Sequence, residues 1–205
     1  MGVPNPAKLS LTSPRAADDL AELGFDNERL MWTLAGTGDP DLALNAAHRF
    51  MQASGSQWPQ IRECLINEPV LRTRFLALLG GSTALADHLI AHPQLWEELR
   101  AGVPDAGEAL RVMLGAVGAE PVGDAEDTAT PALSALDTPG TYRASAACAE
   151  TTVSNDALRT AYRTLVMRVA AADLAGTFAS VRDYGEGQVL GYRATTEALT
   201  AIADA

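Results

Sequence analysis

The sequence predicts an all-α chain, an array of short helices followed by one long helix. Three observations carry that prediction. Apolar residues recur at three- and four-residue spacing through most of the chain. Serine or acidic residues followed by proline, and isolated glycines, recur where helices would start and stop. Between Trp58 and Gly118 no stretch alternates apolar and polar residues over the length of a strand.

Taken in order, Ser13-Pro14 reads as a cap with proline at the first helical position, and Gly24 closes that helix after Leu20 and Leu23. A second helix from about Asn27 to Ala35 carries Leu30, Met31 and Leu34 and ends at Gly36. Asp39-Pro40 opens a third, in which Leu44, Ala47, Phe50 and Met51 follow at helical spacing up to Gly55. Pro59, Pro69, Pro93 and Pro104 each stand where a further helix could begin, with stops at Gly80-Gly81, Gly102 and Gly118. Between them Ile61 and Leu65, Leu71, Phe75 and Leu78, Leu85 and Leu89, Trp96 and Leu99, and Leu110 and Leu114 form successive apolar stripes.

The pattern fails over 119–153, which is rich in Ala, Thr, Pro, Asp and Glu and reads as a long surface connection. Ser154-Asn155-Asp156 then caps a long helix with Leu158, Tyr162, Leu165, Val166 and Val169 on one face, ending at Gly176. A last helix starts between Gly187 and Thr195 and carries Leu199 and Ile202. It reaches Ala205 without a stop signal, so it reads as cut rather than finished. The organisation expected is a helical unit over 1–118, an acidic linker over 119–153 and a second helical unit over 154–205.

Composition narrows the function. The 205 residues are 47% hydrophobic and 20% charged, enough apolar material for a core. Asp plus Glu number 26 against 15 Lys plus Arg, a formal net charge of -11. Nucleic-acid binding draws most of its affinity from neutralised phosphates, so this balance argues against it and against an anionic membrane surface. Two cysteines, Cys64 and Cys148, form neither a disulfide framework nor a metal quartet and suit a reducing compartment. No signal peptide or membrane span is legible, and the expected location is the cytoplasm.

Two stretches are specific enough to suggest a family. Gly80 to Arg100 reads GGSTALADHLIAHPQLWEELR, and Leu158 to Gly176 reads LRTAYRTLVMRVAAADLAG. Together they cover about a fifth of the chain. The first resembles a segment of bacterial glutamine-synthetase adenylyltransferases through Ser82, Leu85, Ala86, Asp87, Leu89, His92, Pro93 and Trp96. The second resembles an Arg-rich helix of that family through Arg159, Arg163, Arg168, Asp173, Leu174, Ala175 and Gly176.

The resemblance implies a bifunctional enzyme that attaches AMP to a tyrosine of glutamine synthetase and removes it by phosphorolysis. It also implies ATP and Mg²⁺ as cofactors, and glutamine synthetase and a PII-type nitrogen-signalling protein as partners. In that family the Gly-Ser…Asp-x-Asp signature lies downstream of the D-L-A-G helix. The chain therefore resembles an amino-terminal part, a helical lead-in to a nucleotidyltransferase domain that it does not contain. On that reading it is non-catalytic alone.

The chemical candidates inside the chain are few. Gly81-Ser82 with Asp87 imitates the signature, but Leu89 stands where the second carboxylate belongs, and Ser82 suits a helix cap. Asp39-Pro40-Asp41 is a literal Asp-x-Asp whose proline would break a strand, so it reads as a helix start. His88 and His92 have the i, i+4 spacing of a metal pair but lack the H-E-x-x-H pattern. Gly185-Glu186-Gly187 and Gly191 do not make a phosphate loop. Cys64 reads as a core residue, and Cys148 has no basic partner in sequence.

Arg159 and Arg163 share a helix face with Tyr162 beside them, while Arg168 lies about half a turn away. Arg159, Arg163 and Asp173 are the contact or structural residues expected; no catalytic, cofactor-binding or metal-ligating residue is assigned. Two other readings stay open, a helical protein-interaction module without enzymatic activity and a metal-binding protein built on His88 and His92.

Overall fold

The computed structural model describes residues 9–119, 155–176 and 192–205. Among these, nine α-helices and no strand are found. No helix among the described residues is long and apolar enough to cross a membrane.

Helix α1 (Ala16–Leu23) begins later than Ser13-Pro14 suggests. The Ser13 hydroxyl accepts from Arg15 N at 3.3 Å and its carbonyl from Ala16 N at 3.1 Å, so this cap residue builds a turn ahead of the helix. The stop is as expected. Gly24 takes φ 66°, Gly24 N donates to Ala21 O, and Phe25 N donates to Leu20 O at 2.9 Å, with Leu20 and Phe25 both buried.

Local capping also explains the next two starts. Asn27 Oδ1 accepts from Arg29 N ahead of α2 (Glu28–Ala35). Asp39 Oδ1 accepts from Leu42 N at 2.9 Å ahead of α3 (Pro40–Ser54), with Pro40 in the first turn, where its missing N–H costs nothing.

Helices α4 (Trp58–Asn67) and α5 (Pro69–Gly81) follow, and α5 is the centre of the molecule. It buries Leu71, Phe75, Leu76, Leu78 and Leu79, residues on nearly every face, so it has no amphipathic stripe to orient it. Phe50 meets Phe75 edge-on with centroids 5.1 Å apart, and Trp58 lies against both Phe50 and Phe25. The Trp58 indole N–H donates to Leu23 O at 3.2 Å, which satisfies its one polar atom.

Arg72 is buried in the same helix. Its guanidinium donates to Thr33 Oγ1 and to the Leu65 and Ile66 carbonyls, tying the ends of α2 and α4 to α5.

Ser82 Oγ accepts from Leu85 N to start α6 (Thr83–Ala91). Pro93–Arg100 then forms a 3-10 helix where the apolar pattern suggested an ordinary one. Its buried residues, Trp96 and Leu99, are three apart, and three residues per turn stacks them on one side. Arg74 Nη1 closes its end by donating to the Leu99 and Ala101 carbonyls. Asp105 caps α7 (Ala106–Ala116), and the long α8 (Asn155–Gly176) and α9 (Tyr192–Asp204) complete the described chain.

Helix α8 serves two apolar clusters. Met167 and Ala171 belong to the main core around α5. Leu165 and Val169 join Ala109, Ala198 and Ile202 in a smaller cluster where α7, α8 and α9 meet. Of the 119–153 stretch only Ala119 is described, so its reading as a connection lies outside the described residues.

Candidate functional site, the two faces of helix α8

The arginines of the Arg-rich block separate into two environments because α8 is half covered. Arg159 and Arg163 stand one turn apart on its exposed side, next to Leu158 and Tyr162. With Met113 of α7 these residues line a shallow groove of about 260 Å³. Arg159 reaches Asp156 at 3.7 Å, but both side chains are largely exposed, so that pair holds neither in place strongly.

Arg168 faces the other way and is 5% exposed. Its Nη1 donates to Glu108 Oε1 at 2.6 Å and lies 3.8 Å from Glu98. Its Nε and Nη2 both donate to Gly102 O, at 3.2 and 2.7 Å. One guanidinium thus fastens α8 to the start of α7 and to the loop before it. This fastening was not read from the sequence. The signal available was the position of Arg168 between Leu165 and Val169, on the apolar side of the helix.

Asp173 accepts from Thr195 Oγ1 at 2.9 Å and so links the end of α8 to α9. The described residues do not bring it together with Arg159 and Arg163, which occupy the opposite end of the helix.

His88 is buried between α6 and α8. Thr164 Oγ1 donates to Thr160 O at 2.8 Å, which leaves it as the acceptor for His88 Nε2–H at 3.3 Å. His92 Nδ1 donates to His88 O, and the two rings lie 4.8 Å apart. Burial first, then the charges of His92 and Arg163, hold the His88 imidazole below its ordinary pKa, favouring the neutral ring.

The acidic candidates are engaged elsewhere. Asp39 caps α3, and Asp87 pairs with Arg49 at 2.8 Å. Asp41 accepts from Thr12 N, the Thr12 hydroxyl and Ser13 N, and these bonds, the hydroxyl's first, hold its carboxyl below the usual range. Among the described residues no group of three or more His, Cys, Asp or Glu is placed to hold a metal ion. Cys64 is half-buried against the main core, and burial pushes its thiol up. Cys148, Gly185-Glu186-Gly187 and Gly191 lie outside the described residues.

No protein-family model and no solved structure matches the chain. Curated proteins do. The chain is 41% identical over 218 residues to a bifunctional glutamine synthetase adenylyltransferase/adenylyl-removing enzyme of Corynebacterium efficiens, covering 99% of this chain and 20% of that protein. It is 39% identical to the enzyme of the same description from Corynebacterium diphtheriae, with 99% of this chain and 22% of the relative covered. The Corynebacterium glutamicum enzyme is 38% identical, again over 99% of this chain and 20% of its own length. Matched along nearly its whole length, and spanning about a fifth of the length of these relatives, the chain belongs to the family of bifunctional glutamine synthetase adenylyltransferase/adenylyl-removing enzymes.

Proposed function

We propose that the chain is the amino-terminal helical part of an enzyme that transfers AMP from ATP to a tyrosine of glutamine synthetase and removes it by phosphorolysis, a control on nitrogen assimilation. The observation that carries this is the match along 99% of the chain to relatives with that paired description. In this reading the segment is a scaffold without catalytic activity of its own, acting in the cytoplasm. Its two helical stretches, over 1–118 and 154–205, are joined by a connection over 119–153.

Mg²⁺ and ATP would be held by parts of the enzyme outside this chain, where the metal would orient phosphates and neutralise developing charge. Among the described residues, the carboxylates of the Asp-x-Asp look-alikes serve caps, turns and an ion pair instead. A PII-type signalling protein would be a second partner of the whole enzyme.

The test incubates the purified chain with glutamine synthetase, ATP and Mg²⁺, and separately with adenylylated glutamine synthetase and phosphate. Intact-mass measurement should show no AMP gained or lost. Turnover of either substrate by the chain alone would overturn the scaffold reading.

A further inference from the structure

We infer that the exposed face of α8 around Arg159 and Arg163 is a docking site for an acidic, amphipathic helix of a partner protein. The face is built from two parallel rows, each with one-turn spacing. Leu158 and Tyr162 form the apolar row, Tyr162 being 44% exposed, and Arg159 and Arg163 form the cationic row beside it. Met113 faces them across the groove from α7. The groove has room for one or two apolar side chains, not for a large ligand.

A helix that places apolar residues at i, i+4 into the groove sets carboxylates at the neighbouring i, i+4 positions against the two guanidiniums. Such pairing is charge-assisted, and Arg can engage each carboxylate through two N–H groups. Tyr and Arg are also the residue types that most often dominate interface energetics.

Charge selects among occupants. The chain carries a net charge of -11, so two neighbouring arginines form a local exception to an acidic molecule. A nucleic-acid backbone or a free phosphate would pair with the arginines but leave Leu158, Tyr162 and Met113 uncovered. Two copies meeting symmetrically through this face would set arginine against arginine. An acidic helix with an apolar stripe meets both rows. The inference goes beyond the scaffold reading and does not depend on it.

The test pans a phage-displayed library of helical peptides against the full 205-residue chain at low and at physiological salt. Enriched peptides should carry acidic pairs at i, i+4 beside apolar pairs, and their binding should weaken as salt rises. The double variant Arg159→Glu/Arg163→Glu should bind them about tenfold or more weakly, the loss of two charge-assisted contacts. Tyr162→Ala should weaken binding at every salt concentration. Arg15→Glu, just ahead of α1, should leave it unchanged.

All three α8 positions point outward, and circular dichroism checks that the variants stay folded. Enrichment without acidic bias, or affinity unchanged in the double variant, would overturn the proposal. So would self-association of the chain in sedimentation that the double variant abolishes, because the occupant would then be a second copy.

Discussion

Gly80 of α5 lies so close to the turn between α2 and α3 that a methyl group in place of its hydrogen would sit 2.8 Å from Thr37 Cβ and 3.0 Å from Asp39 O. One residue later, the same atom on Gly81 would meet Leu174 Cδ1 of α8 at 2.8 Å. The glycine pair, expected from sequence to stop a helix, also brings α5 into close contact with its neighbours on two sides.

The two glycines should therefore respond differently to alanine. Thr37 Cβ and a backbone carbonyl cannot swing away, whereas the Leu174 methyls can. Gly80→Ala should lower unfolding free energy by about 1–2 kcal/mol, overpacking exceeding the gain in helix propensity. Gly81→Ala should cost less, and adding Leu174→Ala should cancel part of its effect. Urea unfolding of the four chains checks this; equal costs at 80 and 81 would contradict it.

Arg168 should behave as a structural fastener. Arg168→Met keeps much of the side-chain volume but strips Glu108 and Gly102 O of their partner, a loss of about 2–3 kcal/mol. Arg168→Lys should recover only part, since an ammonium cannot reproduce the fork that reaches both. Thermal unfolding would report the order wild type, Lys, Met. A Met variant as stable as the wild type would remove the role.

His88 should make stability pH-dependent. Its folded-state pKa lies below the ordinary 6.5, so the unfolded chain takes up a proton first as pH falls. The stability associated with the neutral ring is present above about pH 6.5 and is lost as pH falls toward the folded pKa. The groups facing it are His92, just past the end of its own helix, and Thr164 and Arg163 on α8, and the two titratable ones disfavour a second positive charge there. His88→Gln should flatten the slope between pH 7.5 and about 5, a window above the carboxylates Asp41 and Glu68, which are held low. Parallel slopes for the two proteins would contradict the assignment.

Asp39→Ala should cost about 1 kcal/mol through the lost N-cap to Leu42, and Asp39→Ser should restore most of it. Chemical denaturation distinguishes this from a catalytic carboxylate, which serine would not replace.

What was legible in the sequence divides by distance along the chain. Asn27, Asp39 and Ser82 cap helices through bonds to residues two or three positions on, and Gly24 stops one through bonds to the preceding turn. Such chemistry is written locally. The contacts that shape α8 are not, because His88 meets Thr164 across 76 positions and Arg168 meets Gly102 across 66. Ser13 misled because the same hydroxyl can cap a helix or close a turn before it. Of the expected contact residues, the shared face of Arg159 and Arg163 follows from helical periodicity alone. The Thr195 partner of Asp173 depends on how α9 returns, which no local pattern encodes.

The central claim is that this segment serves an enzyme acting on glutamine synthetase. It is tested most directly by replacing the matched segment of the Corynebacterium efficiens relative with this chain and measuring AMP gained and lost by glutamine synthetase. The account predicts a folded chimera that performs both reactions, where the same relative lacking the segment is impaired. A folded chimera that performs neither, beside an unimpaired deletion, would contradict it.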